Sequence, residues 1–232
     1  MKDKLKVWFD SIADKNNPDE FDAKKLVSVY SIKIPDGQRF GPQDTFNIDT
    51  FDDSKSDIKN ISLSYVLKVC SSKILHKTEL QGVLLNNDRE SVKDNFIKMQ
   101  QRFPNENILV ENQTDFTGPE FIIGIIKDPA LGHAIMVGAG GILTEIYKDT
   151  SFRLVPCSVK EAMDMIDELE LSPIFDNFRG IILDKQKLAV TIFQVSMLAH
   201  DLGEKLTQLD INPIVFSDGE WIALDVKIVF EQ

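Results

Sequence analysis

The chain has 232 residues, 43% hydrophobic and 27% charged, an ordinary globular composition with enough length for one large domain or two lobes sharing a cleft. Its formal net charge of −11 argues against nonspecific binding to DNA, RNA or an anionic membrane, all of which depend on a basic surface. No apolar run approaches the ~20 residues that cross a bilayer.

At the N-terminus, Leu5, Trp8, Phe9 and Ile12 have helical spacing and run into the breaker Asn16-Asn17-Pro18. Acidic residues follow the start closely and no small-residue cleavage site appears, so a secretory signal is not expected and the cytoplasm is the expected location. A second helix is predicted from Phe21 to Tyr30, stopping near the turn Ile34-Pro35-Asp36-Gly37. Residues 36–60 are polar and show no sustained period. Tyr65 to Val69 reads as a strand, followed by a polar loop to Gly82 and a short strand, Val83-Leu84-Leu85. A helix fits 90–103, closed by Pro104, and Ile108 to Glu111 is a further strand. Glu120–Lys127, Ala134–Val137 and Ile142–Ile146 continue an antiparallel series with glycine-bearing turns. Helices fit 158–169 and 186–202, and residues 205–216 with 220–230 read as a closing hairpin. The expected architecture is α+β, with an N-terminal helical extension over 1–20 and two lobes, 21–106 and 107–232. Cys70 and Cys157 are far apart and lack a CxxC partner, so they read as two buried reduced thiols rather than a disulfide or zinc site.

Asp218-Gly219 between apolar runs is a two-residue hairpin signal. With that turn Ser217 faces Glu220, and Asn212 falls opposite Asp225. Asp210, two residues from Asn212, projects from the same face. Opposed side chains about 4.5–5.5 Å apart at Cβ can reach one Mg²⁺ with their oxygens. The competing reading is a solvated sheet face, and Pro213 threatens the register because it removes a ladder donor.

Lys68 interrupts the apolar run Val66-Leu67-Lys68-Val69; it is either a cation aimed at a phosphate or a lysine snorkelling from a sheet edge. His76, in the loop that follows, is either a phosphoryl carrier or a surface histidine. His133 and His200 read as structural. Gly138-Ala139-Gly140-Gly141 lacks the Lys-Ser/Thr of a phosphate loop and reads as a tight turn or close backbone packing.

Taken together, from about Ala23 to the end, these segments resemble the ATP-grasp β subunit of ADP-forming acetate–CoA ligases, relatives of succinyl-CoA synthetase. The resemblance is carried by Val66-Leu67-Lys68-Val69 with Ile74 to Thr78, and by Glu120 through Asp128-Pro129. Gly138 to Glu145, Lys148-Asp149, Phe152 to Pro156, Arg179-Gly180, Leu209 to Pro213 and Leu224-Asp225 complete it.

The resemblance implies an ATP-grasp fold, two lobes of mostly antiparallel sheet enclosing a nucleotide cleft. It implies that Lys68 contacts nucleotide phosphates, that Glu111 lies at the hinge where adenine and ribose are held, and that Glu120 is a nearby nucleotide-contacting acid. Asn212 and Asp225 match Mg²⁺ ligands, with Asp210 close by. His76 matches a histidine that carries phosphate between subunits. The implied cofactor is Mg²⁺, with ATP or ADP as substrate, and the implied partner is a CoA-binding α subunit holding the principal phosphohistidine, in a hetero-oligomer. A stand-alone ATP-grasp ligase and a divergent regulatory subunit without turnover are the alternatives. His133 stands where the family has proline, Glu79 where it has aspartate, and Gly82 where it has paired glycines. The hinge sequence Val110 to Gln113 is also atypical.

Overall fold

The computed structural model describes residues 2–12, 18–48, 51, 64–74, 77, 79–141 and 149–231. Its contacts divide the chain into two compact units: Pro35–Thr114, and Met1–Ile34 with Asp115–Gln232.

In the smaller unit, β1 (Gly37–Phe40), β2 (Tyr65–Cys70), β3 (Val83–Asn87) and β4 (Asn107–Asn112) form a four-stranded antiparallel sheet ordered β1-β4-β2-β3. Alternation of side chains along β2 and β4 sends Tyr65, Leu67, Ile108 and Val110 to one face. There they form a core with Phe40, Phe46, and Val92, Phe96 and Met99 of α3 (Ser91–Arg102). Lys68 and Glu111 belong to the other face.

The larger unit is built on a six-stranded antiparallel sheet. Its path is β10 (Val226–Phe230), β8 (Leu206–Ser217), β5 (Phe121–Asp128), β6 (Gly132–Ala139) and β7 (Thr150–Leu154), with β9 (Glu220–Ala223) paired to β8. One face of this sheet is aliphatic: Ile123, Ile125, Ile135, Val137, Leu209, Ile211, Val226 and Ile228 are buried in one core cluster. The cluster includes buried residues of α1 (Lys2–Ser11), α2 (Glu20–Val29), α4 (Val159–Asp167) and α5 (Lys185–Leu202). Asp19, Ser158 and Asp184 cap α2, α4 and α5 with side-chain oxygens, satisfying amides that a helix start leaves unpaired. The face turned away from these helices carries Gly124, Met136, Phe152, Gln208, Asp210 and Asn212.

The expected α+β class and antiparallel sheets are present, but the units divide differently from the expected lobes. β4 pairs with β1 and β2, so the first unit runs on to Thr114 instead of ending at 106. α1 is no separate extension: Leu5 and Trp8 belong to the larger core, and Trp8 and Phe9 both pack against Phe230; α2, expected in the first lobe, gives Leu26 and Val27 to the same core. Two strands had no sequence expectation, β1 within the unplaced 36–60 stretch and β7. The second arm of the closing hairpin is broken into β9 and β10 at Leu224-Asp225. The expected strand over 142–146 lies outside the described residues. Cys70 and Cys157 are buried and form no disulfide, and no described helix is long and apolar enough to cross a membrane.

Candidate functional site

The closing hairpin turns at Asp218 and Gly219, both with positive φ (49° and 78°), the geometry an Asp-Gly pair supplies at least cost. Ser217 pairs with Glu220, and the same register returns at Ile211 and Val226. Asn212 therefore stands opposite Asp225, and its amide donates to the Asp225 carbonyl at 3.1 Å. Pro213 does perturb the sheet, but on the other side. Against β5, Ile214 pairs with Phe121 and Ile211 with Ile123, so Asn212 and Pro213 together oppose Ile122. This is a bulge, placed where proline has no N–H to give.

Asn212 Oδ1 accepts from the Gly141 amide at 3.2 Å. Gly141 has a φ of +62°, and a Cβ there would lie 1.9 Å from Glu120 Oε2, so the Glu120 carboxylate rests on the bare glycine. The neighbouring Gly140 amide donates to the Glu120 carbonyl at 2.7 Å. Glu120 and Asn212, separated by 92 positions in sequence, thus converge on one glycine, with Asp225 opposite Asn212 in the break between β9 and β10. The Gly138–Gly141 run provides close packing, as its composition suggested. A Cβ on Gly140 would come within 2.5 Å of the Phe121 backbone.

Asp210 lies further along the same face. Its carboxylate sits over Gly124, accepts from Gln208 Nε2, and belongs to the residue paired with Lys227. Burial pushes this carboxyl up from its ordinary range, against the opposing effects of Gln208 and Lys227. Among the described residues no group of three or more His, Cys, Asp or Glu closes on one point. Asp210, Asn212 and Asp225 offer two carboxylates and an amide, an all-oxygen set that suits a hard cation. Oxygen ligands of this kind are those that Mg²⁺ takes.

In the smaller unit, Lys68 Nζ and Glu111 Oε2 are 3.0 Å apart, with side chains 10% and 3% exposed. Val66 pairs with Glu111 and Lys68 with Leu109, so the two charges are diagonal neighbours on one face. Glu111 lies within β4, three positions before the chain leaves this unit at Thr114.

His76 lies outside the described residues. His200 is exposed on α5. His133 is half-buried at the start of β6, where Nε2 contacts the Leu206 carbonyl at 2.7 Å and its strand partner is Lys127. That is the far end of β6 from Gly140 and Gly141, so His133 joins strand ends and takes no part in the Glu120–Asn212 cluster. Sequence reasoning did not foresee Gly141 as the meeting point of Glu120 and Asn212. Its signal was the second glycine of the pair, a residue with no side chain where two polar ones needed room.

An ATP-grasp domain model matches residues 12–230. The chain belongs to the ATP-grasp family. Among its relatives is the β subunit of ADP-forming acetate–CoA ligase II from Pyrococcus furiosus, 30% identical over 91% of this chain and 91% of the relative. The β subunit of ligase I from the same organism is 31% identical over 90% of each. A crystal structure of a Pyrococcus horikoshii protein superposes with a TM-score of 0.82 at 29% identity, covering 100% of this chain and 99% of that one. Acetyl-coenzyme A synthetase 1 of Ca. Korarchaeum cryptofilum has a TM-score of 0.75 at 25% identity, over 91% of this chain and 92% of that one. That protein was solved with coenzyme A and Mg-AMPPCP, its phosphohistidine segment pointing towards the nucleotide binding site. The ATP-grasp fold expected from the sequence is therefore the fold of this chain.

Proposed function

We propose that the chain is the nucleotide-binding subunit of an ADP-forming acyl-CoA synthetase, making ATP from ADP as an acyl-CoA is cleaved to the free acid. The overall reaction is acyl-CoA + ADP + phosphate ⇌ carboxylic acid + CoA + ATP. The observation that carries this reading is the convergence of Glu120, Gly141 and Asn212 opposite Asp225, in a chain of ATP-grasp fold. The relatives that are β subunits support a partner, which on this reading is a CoA-binding α subunit carrying the principal phosphohistidine.

In this scheme His76 receives the phosphoryl group from the partner and passes it to the terminal oxygen of ADP. Phosphoryl transfer depends on positioning and on compensation of charge spread over the moving group. Lys68 supplies a fixed ammonium to the phosphates, and Glu111 and Glu120 stand beside the nucleotide. Asp210, Asn212 and Asp225 would hold Mg²⁺, which would offset the negative charge of the phosphates. Asn212 is kept in place for that task by the Gly141 amide.

Thermal unfolding with and without ADP and Mg²⁺ is the first test, because a ligand of the native state raises its stability by mass action. We expect a rise in Tm that requires both. With a cognate α subunit, acyl-CoA, ADP, phosphate and Mg²⁺, ATP should form, and His76→Ala should abolish its formation while keeping the ADP-dependent rise. No rise in the unaltered protein defeats the nucleotide reading. A rise without ATP formation would make the chain a regulatory subunit.

A further inference from the structure

On the face of the smaller sheet that carries Lys68, its neighbours are aliphatic or sulfur-bearing. Val66 and Cys70 flank it on β2, Leu109 pairs with it on β4 and Val83 on β3. Val66, Leu109 and Cys70 are all buried. An ammonium in such surroundings is strongly disfavoured unless a counter-charge stands beside it. Glu111 is that counter-charge, 3.0 Å away and itself 3% exposed. The sheet makes room for it: opposite Glu111 on β1 stands Gly37, where a Cβ would come within 2.7 Å of Glu111 Cγ. Any residue but glycine there would press on the glutamate, so the backbone is shaped around this carboxylate.

We propose that Glu111 is the resident counter-ion of Lys68, a positioning residue that holds the ammonium in place in the nucleotide-free protein and lowers its affinity for phosphate. This rests on Lys68 being a phosphate contact, as in the proposed function. A lysine has three N–H donors, so an arriving phosphate oxygen can join the ammonium. It does so, however, against a carboxylate of its own sign held at contact distance, and Coulomb repulsion at low effective dielectric is costly. Glu111 thereby trades tight phosphate binding for reversible binding, which suits a site that must take in ADP and release ATP.

The test uses a ligand without a base, so that contacts to adenine or ribose do not enter. Pyrophosphate with Mg²⁺ is titrated by calorimetry, at fixed ionic strength, into the unaltered protein, Glu111→Gln, Lys68→Met and the double variant. Glu111→Gln should bind pyrophosphate more tightly, by about tenfold for removal of one adjacent like charge. Lys68→Met should bind it more weakly, and the double variant should show no gain over Lys68→Met, because the effect acts through the ammonium. Unchanged or weaker binding by Glu111→Gln overturns the proposal, as does a gain that survives without Lys68. Should Glu111→Gln fail to fold, Glu111→Asp keeps the charge but withdraws it by one methylene. A smaller gain in the same direction is then expected, and no gain is decisive against it. An unaltered protein that binds ADP while these variants fail sinks this proposal alone; one that binds neither ADP nor pyrophosphate sinks the nucleotide reading with it.

Discussion

The two units solve the same problem with different physics. In each, helices and an apolar core cover one face of a sheet, and the candidate polar side chains lie on the other. In the smaller unit the candidate side chains are held by charge, Lys68 against Glu111. In the larger they are held by shape, through a bulge at Asn212-Pro213 and glycines that admit Glu120 and Asn212 to one spot. A device of charge responds to anions and can be retuned by one substitution. A device of shape is indifferent to charge but intolerant of a methyl group.

The largest effect that separates them is expected from two glycine substitutions. Gly140→Ala places a Cβ 2.5 Å from the Phe121 backbone, and Phe121 is buried between Phe175 and Trp221. Backbone in a packed core cannot yield, so a loss of about 3 kcal/mol or more is expected, at the upper end of overpacking costs. Gly37→Ala in the smaller unit comes nearest a side-chain atom, Glu111 Cγ at 2.7 Å, with the Val110 carbonyl at 3.0 Å, a looser approach to backbone than at Gly140. Its cost should be smaller, about 1–2 kcal/mol. Urea unfolding of both variants measures the difference. Equal losses would show that the smaller unit is as rigid as the larger, and the contrast would fail.

The same contrast explains what was legible in the sequence. The hairpin was legible because Asp218-Gly219 dictates a turn and the turn dictates a register, so the Asn212–Asp225 opposition follows by counting. The apolar runs of β5 and α5 announced themselves by period. β1 was not legible, because Gly37-Gln38-Arg39-Phe40 is a polar edge strand whose only buried member is Phe40. β7 was obscured in the same way, an edge strand with Phe152 and Leu154 about half exposed. The unit boundary was missed because β4 is apolar enough to belong to either sheet, and pairing over long range decided it. Within the candidate site, Glu111 beside Lys68 was hidden for a simple reason. A diagonal ion pair depends on the register of two strands that are about 40 residues apart in the chain.

A smaller effect is expected where the chain enters the larger unit. Ser217 Oγ donates to the Asp115 carbonyl at 2.6 Å, and the Ala223 amide donates to the Lys33 carbonyl at 2.9 Å. Lys33 and Asp115, both within the larger unit, are thus tied to its β8–β9 hairpin. Ser217 is buried, so Ser217→Ala removes this hydrogen bond and should cost about 1 kcal/mol. Ser217→Thr, which restores the hydroxyl, should recover part of it. A Ser217→Ala protein with unaltered unfolding would mean that the fastening contributes nothing.

The smallest effect has the most informative sign. Glu168 is an acid of the usual kind: hydrogen bonds from Arg153 and Ser151 hold it at about 2, so its contribution to stability is present above its ordinary 4.5 and is lost as pH falls from there through about 2. Asp210 runs the other way. Burial raises its carboxyl above the ordinary 3.8, so the folded state holds the proton more tightly than the unfolded chain. Stability from this group is therefore complete below pH 3.8 and is lost as pH rises through the raised value. At neutral pH an ionised Asp210 therefore weakens the protein. Asp210→Asn should give a modest rise in Tm at pH 7 without Mg²⁺ and none at pH 3.5. The same variant should show a smaller rise on adding ADP and Mg²⁺, since the charge that the cation would neutralise is gone. Thermal scans from pH 3.5 to 8, with and without ADP and Mg²⁺, read both effects. A variant less stable at neutral pH, with an undiminished response to Mg²⁺, would make Asp210 a structural partner of Gln208 and Lys227. The shape-held half of the contrast would then rest on Glu120, Asn212 and Asp225 alone.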